Sequence, residues 1–421
     1  MPPKTQARSI LVRQIGFRYD IAMKLGIPYF LAFSIYGVVS PYLAVLVRDL
    51  GYSPSVVGLL IGLFELAGIG GPFILGRFSD RLGRYRPGMT LALMLLLLSL
   101  GPLILFRNPL ISALSLMVLA VGVRSIVPLL DAVATLSMRN PADYGKVRTV
   151  GSISFVLMTL FLQWTPLFQP HSYTAIALWI ALSSFLMLCS LPLLPAVQRQ
   201  AAIADSEPKP LVAENTTTGV SRSKASTKAY SSVFILGLVI IGLGRLAMAP
   251  VASFFSLYIV EELGWDAVGL SWAIAAASEI PLMFLSGLAI RRWGAPRLLL
   301  LALIAVAVRL AIYALFPSPA GAISGQLLHS LCYGLFHPAA VAFVSTHVAP
   351  ERRAMGLTMY LSLGVGLPTF LGSAVGGFIV DHAGYRVLFA SFIVFAIAGI
   401  VLYLLQRSRL ETASSRTPLS A

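Results

Sequence analysis

Six charged residues sit where charge is expensive. Glu65, Asp131 and Glu279, together with Arg124, Arg245 and Arg309, each fall near the middle of a long apolar stretch. In "LSWAIAAASEIPLMFLSGLAIRRWG" (270–294), Glu279 is central and the run ends on Arg291 and Arg292. A charge at mid-bilayer depth costs about 2.5–3.5 kcal/mol on insertion scales. Left unpaired, six would cost roughly 15–20 kcal/mol, more than the whole stability of a typical domain. They must pair or face a wet cavity, and residues of this kind mark substrate paths and proton relays.

Each offers a definite chemistry. A low dielectric favours a neutral carboxyl and a nearby arginine favours the charged form. A glutamate alternating between those surroundings loads and releases a proton, which makes Glu279 the expected coupling acid. His329 and His337, eight residues apart on one helix, point about 80° apart, so only one is expected to face Glu279. Tyr333 follows His329 by four residues, shares its face and is a candidate substrate contact. Arg245 offers a guanidinium to an anionic group. Glu65, Arg124 and Asp131 are further candidate cavity residues. Glu65 can equally be a packing acid paired with an arginine, and Arg124 and Asp131, seven apart on one face, can serve each other structurally. Tyr36, Phe64, Phe155, Trp272 and Phe336 can supply aromatic walls, although aromatic residues in such stretches mostly pack or form interface belts.

The elements that position these residues are membrane helices. The 421 residues are 57% hydrophobic and 11% charged, with a mean hydropathy of +0.86; that composition belongs to a polytopic membrane protein. Apolar stretches predict twelve spans, at 24–47, 54–75, 88–106, 110–136, 149–168, 173–195, 230–260, 267–290, 297–316, 321–347, 354–380 and 386–406. The one long polar segment, 196–229, reads as a flexible linker. It divides the chain into six-helix halves, 1–195 and 230–421. Of 31 Lys and Arg, 25 fall on the side shared by the termini and linker, three on the other and three within spans. The positive-inside rule therefore puts both termini in the cytoplasm and accounts for the net charge of +15 without nucleic acid. The first 20 residues lack a signal-peptide pattern, so the first span is expected to target the chain. Cys189 and Cys332 both lie in apolar stretches and form no metal-ligand spacing.

The halves repeat. "GRFSDRLGRYRP" (76–87) and "GLAIRRWGAPR" (287–297) share Gly-x-x-x-x-Arg-x-Gly, and "RTVG" (148–151) answers "RAMG" (353–356). Parallel repeats joined by a linker are a transporter signature. With Gly76-Arg77-Phe78-Ser79-Asp80-Arg81-Leu82-Gly83-Arg84 in the loop after the second span, the chain resembles the major facilitator superfamily over about 24–406. Gly76 and Gly83 permit a tight turn. Asp80, with Arg81 and Arg84, is expected to form a gating loop, Asp80 meeting a helix N-terminus or an arginine across the half-to-half interface. In the second copy the acidic position is Arg291.

More narrowly, "VPLLDA" (127–132), "DYGKVRTVGS" (143–152), "ASEIPLMF" (277–284) and "GQLLHSLCYGLFHPAAVAFV" (325–344) resemble the lactose-permease-like branch, which includes phenylpropionate and nucleoside permeases. The resemblance implies a substrate-binding pair at Asp131 and Arg148, and a proton-coupling cluster of Glu279, Arg309 and His329. It departs at two positions: the branch's proton-carrying Glu is Cys332 here, and its sugar-stacking Trp is Phe155, which argues against a galactoside.

The expected protein is an all-α, twelve-helix transporter of the cytoplasmic membrane working by alternating access. It would import a small organic solute (a sugar, nucleoside or aromatic acid) with protons, and the arginines weigh toward a carboxylate. Its expected partners are that solute, protons and membrane lipid, with no nucleic acid, no cofactor and no metal, and the chain acting as a monomer. A proton-driven efflux antiporter is the alternative, since the loop motif serves both. An enzyme is not expected, because HExxH, GxSxG and a Gly-rich phosphate loop are absent from the sequence.

Overall fold

Proline and small polar caps start the helices, and apolar length carries them across the bilayer. A computed structural model describes residues 4–138, 141–165, 172–195, 230–349 and 352–415. The linker expected at 196–229 lies outside the described residues. The first six helices are α1 (Lys4–Asp49), α2 (Pro54–Leu82), α3 (Arg86–Leu105), α4 (Pro109–Ser137), α5 (Pro141–Trp164) and α6 (Tyr173–Ser190). After the linker come α7 (Ser232–Leu257), α8 (Val268–Trp293), α9 (Ala295–Leu315) and α10 (Pro319–His347). Pro54, Pro109 and Pro319 occupy first turns, where a missing N–H costs nothing. Asn108, Ser172, Ser231 and Ser318 accept hydrogen bonds from otherwise orphaned backbone N–H groups.

Among the described residues, eleven helices are long and apolar enough to cross a membrane, against the twelve expected. The difference is one junction. The last apolar stretch, Met355–Leu405, has 51 residues, about 75 Å of helix against roughly 30 Å of hydrocarbon. It breaks at Gly384, where φ is +82°, a conformation glycine adopts without a steric penalty. Two crossings result, α11 (355–383) and α12 (385–405), joined by so short a turn that backbone pairing runs on. A further helix, α13 (Arg407–Ser415), follows. The first helix also begins earlier than the apolar pattern, and α5 begins at Pro141 where residue 149 was expected. Large apolar side chains face outward, Leu98, Leu105 and Phe284 each being more than 70% exposed. Such a surface suits lipid.

Three π-helical turns interrupt the second half, at Tyr258–Glu262, Ser330–Leu335 and Tyr360–Gly366. A wider turn re-aims side chains, and such turns cluster at functional sites. The second one directly follows His329.

The halves hold each other at one end of the bundle. Arg48 Nε donates to Glu261 Oε1 at 2.7 Å, and Tyr385 OH donates to Glu261 Oε2 at 2.7 Å. Ser55 Oγ donates to Asp381 Oδ2 at 2.6 Å, and Gln163 Nε2 to the Asp266 carbonyl at 2.8 Å. Here α2 and α11 touch backbone to backbone: a methyl group on Gly58 would lie 2.3 Å from the Ser373 carbonyl oxygen, and one on Gly377 2.4 Å from that of Pro54. At the opposite end, which carries residues 76–87, Arg86 Nη2 donates to the Pro192 carbonyl at 3.2 Å and Arg297 Nη2 to Glu411 Oε2 at 2.8 Å, each within its own half.

Candidate functional site

A cavity of about 650 Å³ lies between the halves, within the size range of small-molecule sites. Tyr36, Phe64, Glu65 and Arg124 line it from the first half; Arg245, Trp272, Arg309, Gln326, His329 and Tyr333 line it from the second. Every mid-span arginine therefore reaches the cavity wall.

The arginines are held in three different ways. Arg124 forms an ion pair with Glu65 across α4 and α2, and its guanidinium lies 5.5 Å from the centroid of the Phe64 ring. That pair answers the expectation about Glu65 directly: its partner is Arg124, and Asp131 is not the acid that serves Arg124. Gly68 makes room for the pairing, since a methyl group there would approach Arg124 Cγ to 2.7 Å.

Arg309 is fully buried. Its Nε donates to Tyr313 OH at 3.0 Å, its Nη2 donates to Gln326 Oε1, and its Nη1 meets His329 Nδ1 at 3.2 Å. Arginine has only donors, so His329 Nδ1 is the acceptor. The imidazole proton then sits on Nε2, which faces Glu279 Oε2 at 3.6 Å. Gly334 leaves space for that carboxylate: a methyl group there would lie 2.8 Å from Glu279 Cγ. His329 and not His337 therefore stands beside Glu279, while His337 Nδ1 contacts Tyr360 OH at 2.7 Å. Gln326 and Tyr313 complete the cluster. Sequence reasoning passed over both, although a glutamine inside an apolar stretch, one turn before His329, is the kind of signal that could have found Gln326.

Arg245 is held only by stacking. Its guanidinium carbon lies 4.8 Å from the Tyr333 ring centroid, and Tyr333 in turn stacks on His329 with centroids 4.6 Å apart and 17° between planes. Among the described residues no carboxylate pairs with it, and its Nε is buried without a hydrogen-bond partner.

Asp131 and Arg148 do not line this cavity. Asp131 Oδ1 accepts from Tyr29 OH at 2.6 Å, while Arg148 stacks over Phe33 at 4.6 Å with Nη1 buried and unpartnered. The expectation that this pair contacts substrate from the cavity wall therefore meets a different geometry: both residues are packed among α1, α4 and α5, inside one half. Of the expected aromatic walls, Tyr36, Phe64 and Trp272 line the cavity; Phe155 does not, and Phe336 is buried in the core of the second half.

In the gating loop, Gly83 caps α2 with φ +62°, which only glycine takes readily. Gly76 has nothing within 4 Å of where a methyl group would go. Arg81 and Arg84 are exposed. Asp80 accepts from Tyr85 OH at 3.0 Å, five residues along in its own half. Among the described residues it has no ion-pair partner across the interface.

A bundle of membrane-crossing helices, closed at one end around a charged internal cavity, defines a polytopic membrane transporter. The chain matches the MFS_1 like family over residues 22–391 and belongs to it, within the major facilitator superfamily. It is 27% identical over 393 residues to a maltose permease of Geobacillus stearothermophilus, covering 91% of this chain and 94% of that one. It is 26% identical over 369 residues to a probable 3-phenylpropionic acid transporter of Escherichia coli (strain K12), covering 86% and 92%. Among solved structures, the nucleoside transporter NupG superposes with a TM-score of 0.72 at 17% identity, covering 92% of this chain and 98% of that one. The D-xylose–proton symporter does so at 0.64 and 15%, covering 92% and 96%.

Proposed function

We propose that the protein is a proton symporter that imports a small organic solute across the cytoplasmic membrane by alternating access. The observation that carries this reading is the Arg309–His329–Glu279 relay on the cavity wall. With Arg309 occupying Nδ1, His329 cannot take a second proton unless that contact breaks. The incoming proton therefore lodges on Glu279, within reach of His329 Nε2. The closed end, with Arg48, Glu261, Ser55 and Asp381, is then the periplasmic side, and the end carrying 76–87 is cytoplasmic by the positive-inside rule. This conformation is inward-facing, with the six-helix halves 1–195 and 230–421 as rocking units and the Asp80 latch undone. The named activities of the relatives and fold neighbours support a sugar, nucleoside or aromatic acid as cargo.

Uptake into proteoliposomes of such a panel, with and without an inward proton gradient, tests the reading. The expected result is gradient-driven accumulation that Glu279→Gln abolishes while retaining solute exchange between equal pools, since the neutral amide mimics the loaded carboxyl. Normal accumulation by Glu279→Gln would remove this residue from coupling. Outward movement driven by the same gradient would instead support the efflux antiporter.

A further inference from the structure

The charges around the cavity leave one arginine over. Glu65 takes Arg124. Glu279 and Arg309 bracket opposite nitrogens of His329 and balance through it. Asp131, the remaining mid-span acid, bonds Tyr29 away from the cavity. Arg245 therefore holds an uncompensated positive charge on the wall of a site that must close over its cargo. An isolated charge in such a place is expensive unless something pairs with it.

The stacking geometry shows where the pairing group would go. Tyr333 covers one face of the Arg245 guanidinium, but the five N–H donors point outward in its plane. Among the described residues no protein acceptor takes any of them, whereas Arg124, stacked similarly on Phe64, donates Nη2 to the Glu65 carboxylate. In one wall the protein supplies the carboxylate; in the other it is missing. The rest of the cavity is mostly apolar and aromatic, with Tyr36, Phe64 and Trp272 around it and Ser40, Ser253, Ser256 and Thr369 as its serine and threonine hydroxyls, Ser256 already accepting from Trp272 Nε1. A neutral sugar would leave Arg245 unpaired and would find few partners for its own hydroxyls.

We infer that the solute carries one carboxylate, seated edge-on against Arg245, with its apolar body against Tyr36, Phe64 and Trp272. The inference rests on the transport reading above and selects among its solute classes. It also places the cargo one stacked ring, Tyr333, from the His329–Glu279 relay, so that filling the anion site and loading the proton occur on adjacent groups.

Binding to the full chain in detergent, at one fixed pH, tests this without any gradient. The probes are a panel of aliphatic and aromatic monocarboxylates, including 3-phenylpropionate, each paired with its neutral amide, and maltose. The expected result is at least one acid that binds tenfold or more tighter than its amide. Arg245→Gln removes that preference and Arg245→Lys keeps part of it, both variants remaining monodisperse with unchanged melting temperature. Equal binding of acid and amide, a preference that survives Arg245→Gln, or no binding by any acid would overturn the inference. Gradient-driven uptake of maltose alone would refute the solute class and leave symport standing. Tight acid binding without gradient-driven accumulation would do the reverse.

Discussion

At the scale of single residues, the cluster on α9 and α10 is defined by which atoms can donate. Arg309 satisfies Tyr313, His329 and Gln326 at once, and only its planar fork reaches all three. Arg309→Lys keeps the charge but strands at least one buried partner, at about 1–3 kcal/mol per orphaned group. It should therefore lower the melting temperature in detergent and also release His329 to its other tautomer. Uptake by this variant should lose its dependence on the proton gradient before it loses exchange. If coupling is intact in Arg309→Lys, the tautomer argument fails. Cys332, at the position where the resembling branch keeps an acid, is buried here beside this cluster, which leaves Glu279 as the carboxylate in reach of the relay.

At the scale of elements, glycines decide how closely helices approach. The contact of α2 with α11 has no room for a side chain at Gly58 or Gly377. Gly377→Val must push the halves apart at this end; overpacking of about 1–3 kcal/mol reduces the closed population roughly five- to 150-fold. Spin labels at Leu110 and Leu315, exposed helix ends in opposite halves, should report a longer distance in the variant; an unchanged distance would mean that this close crossing does not hold the end shut. The C-terminal helix α13 is docked differently. Glu411 accepts from Arg297 and Arg407, both at 2.8 Å, and from Tyr403 at 3.0 Å. Its hydrogen bond with Arg297 leads the causes that hold its carboxyl at about 2, below the ordinary 4.5. A depressed value means the anchoring is complete above pH 4.5 and is lost as the pH falls toward 2. Proteolysis of α13 should thus accelerate across that acid window in wild type, and be rapid at neutral pH in Glu411→Gln.

At the scale of the whole molecule, the contacts at the closed end are numerous but individually weak. The Arg48–Glu261 pair has side chains about one-third exposed, and such pairs contribute roughly 0.2–1 kcal/mol. Arg48→Ala should therefore shift the balance of conformations by at most about fivefold, no more than the low end expected of Gly377→Val, and the shift should shrink in high salt. A change as large as the glycine variant's would make the ion pair, rather than helix packing, the main restraint. A transporter benefits from that division: steep sterics define the two states, while small polar terms keep their free energies close enough to interconvert.

The helix count and the set of mid-span charges were legible in the sequence, because burying a backbone or a charge in lipid is costly enough to leave a one-dimensional record. Those same costs require the charges to find partners without saying which. That choice depends on helix rotation and on the π-helical turn after His329, which set side-chain directions that spacing alone does not encode. Thus Arg124 met Glu65 instead of Asp131, Asp131 and Arg148 turned into one half, and Gln326 and Tyr313 joined Arg309. The junction at Gly384 falls in the gap expected between the spans 354–380 and 386–406, and what the structure added was its geometry, a single glycine turn at φ +82°. Arg245 was one charged residue among six in the sequence, and only the packing of the other five left it without a carboxylate partner among the described residues.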